Sequence, residues 1–216
     1  DPSLYPGGPR WSPDGSLILF TAEPDMQSAQ FLYVVSSQGG KPHRLIPDDN
    51  KRQGDGSWSP DGRRIVFHAW PNGDPVLRIF DLDSHSITTL PGSVGVYSPR
   101  WSPDGRFIAA LSTHFWGLRV CDLETHQWWT VLPHEGIGFP SWSRDSRYLY
   151  ILYYDQQPGV YRVSVKGGAP ERVVDLKGFH HTGTNNFWLG LDPNDAPLLV
   201  RDVGTDDLYA LTLELK

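Results

Sequence analysis

One cysteine, Cys121, stands in the whole chain, so an internal disulfide is excluded. Its setting in the strand-like run "LRVCDLE" reads as a small buried hydrophobe rather than a reactive thiol. No apolar stretch approaches the roughly 18 residues that span a bilayer, and no secretory leader opens the sequence. Basic runs are equally scarce. The densest are the pairs Lys51-Arg52 and Arg63-Arg64 in a chain of net charge −6, which argues against electrostatic binding of nucleic acid or anionic lipid. The first residue is Asp1 rather than Met, as expected of a processed product, a trimmed chain or the tail of something longer.

Turn residues and large aromatics are plentiful. Twenty-two Gly and 19 Pro punctuate 216 residues, and nine Trp and nine Tyr stand against one Met. That balance favours many short strands and almost no helix. With 38% hydrophobic and 20% charged residues, the chain can bury a core as a soluble globular protein does.

The aromatics are ordered. "WSPDG" occurs at Trp11, Trp58 and Trp101, a decayed copy "WSRDS" begins at Trp142, and a fifth can be aligned with Leu191 in the Trp position, a period of about 45 residues. Each period repeats one order: anchor and turn, a first apolar run, a loop, a second run, a turn and a short third run. The first runs are "SLILFT", "RRIVFH", "RFIAAL", "RYLYIL" and "PLLVRD"; the second include "FLYVVSS" and "LRIFDLD"; the third are "HRLI", "ITTL", "WTVL" and "ERVV". Counting the strand that ends at each Trp, a unit has four strands. A four-stranded meander cannot cover both its faces, so units must stack, and a ring of them is a β-propeller. The expected fold is therefore all-β, with about five blades at 1–46, 47–90, 91–132, 133–174 and 175–216 of one propeller domain.

The motif itself reads as structure. Pro presets a turn, Asp bonds its own following backbone and Gly takes the left-handed conformation, which assigns Asp14, Gly15, Asp61, Gly62, Asp104 and Gly105 to hairpin turns. The Trp side chains would pack where blade meets blade, each burying about 150–250 Å², or roughly 4–6 kcal/mol. One catalytic carboxylate per blade has no use.

Trp-Ser-Pro-Asp-Gly followed by an apolar strand, a "LYVV" or "LRIFD" strand and a short "RL" strand resembles the WD-like propeller repeat of the TolB type, over essentially the whole chain. Similar repeats occur in bacterial TolB, in prolyl-oligopeptidase-like peptidases and in propellers joined to bacterial kinases or winged-helix regulators. The closing "LLVRDVGTDDLYALTLELK" resembles the last blade of that third group. The fifth unit stops after "LYALTLEL", which would leave an open apolar edge. The expectation is the C-terminal part of a propeller of about six to eight blades, with a closed ring of about five as the alternative.

Function would sit on the loops opposite the Ser-Pro-Asp-Gly turns. They gather His68, Trp70, His114, Phe115, Trp116, His134, Glu135, Tyr154, Asp155, His180 and His181, a rim of aromatic and imidazole groups suited to recognition. The competing reading is that Trp70 and Trp116 pack over blade edges and the histidines are solvated. Adjacent His180 and His181 in an extended segment point apart, and "HEGIG" lacks a second His, so a metal is not expected. The chain has no Gly-x-Ser-x-Gly and no phosphate-binding glycine motif, so neither a nucleophile nor a cofactor is expected. A glycosidase would draw on Asp48, Asp49, Asp55, Glu135 and Asp155, which show no pairing in the sequence. The reading is a non-catalytic binding or sensing module for a protein or small molecule, within a bacterial signalling or transcription-regulatory protein. Its rivals are a cell-envelope scaffold like TolB and the propeller of a hydrolase or glycosidase.

Overall fold

The structure, a computed structural model, describes residues 4–23, 29–113, 117–180 and 188–204. Their regular structure is all strand. Four antiparallel meanders follow one another: β1 (Tyr5–Trp11), β2 (Leu17–Glu23), β3 (Phe31–Ser36) and β4 (His43–Arg44); β5 (Gln53–Trp58), β6 (Arg64–Asn72), β7 (Asp74–Asp81) and β8 (Ile87–Thr89); β9 (Val96–Trp101), β10 (Phe107–Ser112), β11 (Gly117–Asp122) and β12 (Trp128–Leu132); β13 (Ile137–Trp142), β14 (Tyr148–Tyr153), β15 (Gly159–Ser164) and β16 (Glu171–Asp175). A two-stranded sheet, β17 (Leu189–Leu191) and β18 (Pro197–Leu199), follows. These are four full propeller blades and the first two strands of the fifth expected unit, whose run "LYALTLEL" lies outside the described residues. Two of the outermost strands are shorter than their apolar runs imply, "HRLI" forming strand only at His43–Arg44 and "ITTL" only at Ile87–Thr89, whereas β12 and β16 take in the whole of "WTVL" and "ERVV". Ile46 turns into the core between blades.

The first strand of each blade is innermost, so β1, β5, β9, β13 and β17 stand side by side around the axis. Because blades stack face to face, apolar side chains are buried on both faces of the middle strands, and the core lies between blades. On β6, Ile65 and Phe67 pack with Leu19 and Leu32 of the first blade, while Val66 between them faces Ile108 and Cys121 of the third. Cys121 is fully buried, and burial, with Asp122 beside it, pushes its thiol up to about 11.

Each blade turns at its Ser-x-Asp unit by the same hydrogen bonds. In the second blade, Ser59 Oγ donates to Asp61 Oδ1 at 2.5 Å and accepts from Arg64 N at 2.9 Å, while Asp61 Oδ1 also accepts from Arg63 N at 3.1 Å. The pattern returns at Ser12–Asp14, Ser102–Asp104 and Ser143–Asp145. Gly62 takes the left-handed φ of 72° that closes the turn. In the decayed copy Ser146 takes that conformation, φ 60°, and its Oγ accepts Asp104 N of the neighbouring blade at 3.0 Å. Trp58 and Trp142 are wedged between blades, with indole N–H groups donating to the carbonyls of Arg10 (3.3 Å) and Arg100 (2.9 Å) on the preceding inner strand. Trp101 is buried too but donates to Gly105 O of its own turn, and Trp11 is 61% exposed.

Candidate functional site

The inner strands of the four full blades share one irregularity that positions everything near the axis. Each carries a bulge, and the residue three before its Trp has positive φ: Gly8 (60°), Asp55 (40°), Ser98 (53°) and Phe139 (54°). A bulge re-aims the side chains beside it. Here it divides each inner strand into a loop-side end and a turn-side end.

At the loop-side end, between the third and fourth blades, a hollow of about 200 Å³ is lined by Tyr97, Leu111, Ser112, His134, Glu135, Ile137 and Tyr154. His134 rests on the Tyr153 ring, centroids 4.4 Å apart, with Nε2 3.4 Å from Asp155 Oδ2. Tyr154 covers Gly138, where a Cβ would stand 2.5 Å from the Tyr154 hydroxyl, and that hydroxyl donates to Ile137 O at 2.5 Å. Burial, reinforced by the neighbouring Tyr97 phenol, pushes Tyr154 up to about 12, so it remains a neutral hydrogen-bonding group. Beneath His134, the buried hydroxyl of Tyr153 has no hydrogen-bond partner. The fold thus brings together His134, Glu135, Tyr154 and Asp155, and adds Tyr97, which the sequence did not single out.

His68 and Trp70 form a second cluster one blade earlier. Their rings meet edge to face at 4.5 Å, and Arg52 lies over Trp70 at 4.5 Å. His68 is buried: its Nδ1 accepts Ser98 N at 3.3 Å, and Gly54 leaves room for its ring. Burial lowers it to about 4, with Asp55 pulling the other way, so the imidazole is neutral. Tyr97, 6.2 Å from the His68 ring, also lines the hollow of the next blade and joins the two clusters. His180 is exposed on a separate loop, its carbonyl accepting Asp202 N. His114, Phe115, Trp116 and His181 lie outside the described residues.

At the turn-side end the axis holds charge. Arg100 of β9 grips Asp55 of β5 with two hydrogen bonds, Nη1–Oδ1 at 2.9 Å and Nη2–Oδ2 at 3.0 Å, and Ser98 Oγ donates to the same carboxylate. Arg10 of β1 lies near enough for its charge to act on Asp55 as well. Burial, the largest single influence on Asp55, favours the neutral acid; the two guanidiniums and the hydrogen bonds outweigh it and hold the carboxyl at about 2. In a glycosidase pair of carboxyls, Asp55 could therefore serve only as the ionised member and not as the proton donor. Asp49 is likewise engaged, by Arg78 at 2.5 Å and by the Gln53 amide at 3.2 Å. Among the described residues no three His, Cys, Asp or Glu converge as metal ligands, and no helix is long and apolar enough to cross a membrane.

These features define a β-propeller. No protein-family model and no curated protein matches the chain. Among solved structures it is similar to TolB of Acinetobacter baumannii, with TM-score 0.69 and 16% identity over 88% of this chain and 47% of that one. A TolB-type structure from Agrobacterium tumefaciens gives 0.65 and 23% over 76% and 63%. An oligogalacturonate lyase in complex with manganese gives 0.58 and 17% over 74% and 48%. The likeness is one of fold, to TolB-type propellers and to a propeller enzyme alike. The chain spans about half the length of the first of these structures and less than two thirds of the second.

Proposed function

We propose that this chain is a non-catalytic recognition module that binds a protein or small-molecule ligand on its loop-rich face. The observation that carries this reading is the hollow of about 200 Å³ between two blades, in which Tyr97, His134, Glu135 and Tyr154 converge on a rigid β scaffold. Aromatic side chains with few rotatable bonds lose little entropy on binding, and polar tips at the rim of an apolar hollow set orientation. The polar groups there are already engaged, His134 with Asp155 and Tyr154 with Ile137 O, an arrangement for holding a surface in shape rather than for moving protons. The resemblance of the closing segment to propellers of regulatory proteins favours a place in a bacterial signalling or transcription-regulatory protein. The likeness to TolB favours, as a second reading, a scaffold in the cell envelope.

Panning the immobilised chain against a random peptide library tests the module. Peptides should be enriched by the native chain and lost on Tyr97→Ala or Tyr154→Ala, with the unfolding midpoint of at least one of these variants unchanged. Turnover of oligogalacturonides or of peptide substrates by the purified chain would overturn the non-catalytic reading.

A further inference from the structure

Two guanidiniums and one carboxylate meet at the propeller axis, and this leaves a charge without a counterpart. Arg100 is deeply enclosed, with 8% of its side chain exposed, and spends Nη1 and Nη2 on Asp55 and on Pro99 O. Its Nε is buried without a partner, and so is the Nε of Arg10. Repulsion from Arg100, with burial second, pulls Arg10 down to about 10, still charged at neutral pH. Buried charges ordinarily stand in pairs, because an unpaired one costs several kcal/mol of lost hydration. The net charge of the group is a single positive one.

Space for a counterpart is present beside it. A hollow of about 380 Å³ at the turn-side end of the axis is lined by both arginines, by the hydroxyl-bearing Ser57 and Ser141, and by Trp101, Pro103, Trp142, Trp188 and Leu191. That size suits a small organic group or a chain end. The walls are mostly indole and aliphatic surface, which favours an apolar body over a hydrated inorganic ion, and the single positive charge matches a monoanion better than a phosphate dianion. Guanidinium recognises planar carboxylate particularly well. We propose that this axial hollow is a second binding site, distinct from the loop-side rim, which takes a carboxylate carried on an apolar body through Arg10 and Arg100. The C-terminus of a peptide and a small aryl carboxylate share this chemistry.

The test uses the chain as it stands, with binding read by the rise in melting temperature and by quenching of Trp101, Trp142 and Trp188. The probes are benzoate against benzamide, and an acetylated alanyl-alanyl-phenylalanine tripeptide with a free C-terminus against its amide, each to about 10 mM, where even a millimolar Kd shifts the melting midpoint. The acids should protect and the amides should not. Protection by benzoate points to a free aryl acid and protection by the tripeptide alone to a chain end. Arg10→Met, which leaves the Asp55–Arg100 pair in place, should weaken binding at least ~10-fold, Arg10→Lys should recover part of it, and Tyr154→Ala should leave it unchanged. No protection by either acid, equal protection by the amides or by chloride, or full binding by a folded Arg10→Met would overturn the proposal. The acid–amide comparison on the native chain decides it even where a variant does not fold.

Discussion

The turn-side and loop-side ends of the inner strands are built on opposite principles. At the turn side, four copies of one short motif make the same hydrogen bonds, Ser to Asp and Asp to the backbone two residues on, and three of the four Trp side chains are buried. At the loop side the side chains differ from blade to blade: the position four before each Trp is Gly7, Gly54, Tyr97 and Gly138, and what fills the space over the glycines is His68 in one blade and Tyr154 in another. Repetition belongs to stacking, since every blade must meet its neighbour in the same way. Variation belongs to recognition, since a ligand needs one asymmetric surface. The axial charges stand between the two: the bulge recurs in every full blade, but only the second places a carboxylate, Asp55, on it, and arginine precedes the Trp only in the first and third.

Substitutions at four positions and one control probe this division, from the largest expected effect to the smallest. Trp142→Ala removes a wedge between blades and its indole bond to Arg100 O, and should lower unfolding free energy by about 3–5 kcal/mol in denaturant titration. Asp55→Ala leaves two enclosed guanidiniums facing each other and should cost about 3 kcal/mol or more. The native Asp55 carboxyl is held below its unfolded value, so its contribution is complete above pH ~4 and is lost as pH falls toward ~2; Asp55→Asn should flatten that part of the stability curve. His68 adds a separate window. Its imidazole is neutral in the fold and takes a proton on unfolding, so stability should fall as pH drops from about 6.5 to about 4, and His68→Gln should abolish that slope. Ser59→Ala deletes one buried hydroxyl from a turn and should cost about 1 kcal/mol. Trp11→Ala, at the exposed copy of the anchor, should change stability by under ~0.5 kcal/mol in this chain, although its motif matches those of Trp58 and Trp101.

The blades were legible because their determinants are local. A Ser-Pro-Asp-Gly turn closes within six residues, and alternating or continuous apolar runs mark strands whatever lies beyond them. Two of the four outer runs were over-read: an apolar run such as "HRLI" serves the core between blades as readily as a ladder, and periodicity does not separate the two at so short a length. The rim was legible only as a set of loops. His134, Tyr154 and Asp155 do meet, whereas Tyr97 went unnoticed inside a strand, and its signal was an aromatic where the equivalent positions of the other blades carry glycine.

Chain order and turn chemistry suffice to specify four-stranded units at a period of about 45 residues, because the strand-pairing hydrogen bonds of each unit lie within it. They are silent on the meeting of Asp55 with Arg10 and Arg100. The letters before each Trp, Arg10, Ser57, Arg100 and Ser141, alternate in plain view, but a side chain one step before an anchor faces solvent, a neighbour or an axis according to how the blades are arranged. The bulge aims Asp55 inward, and the curvature of the stacked blades brings Arg100, 45 residues away, to its carboxylate. Coulomb energy depends on distance through space, and only the assembled propeller fixes that distance.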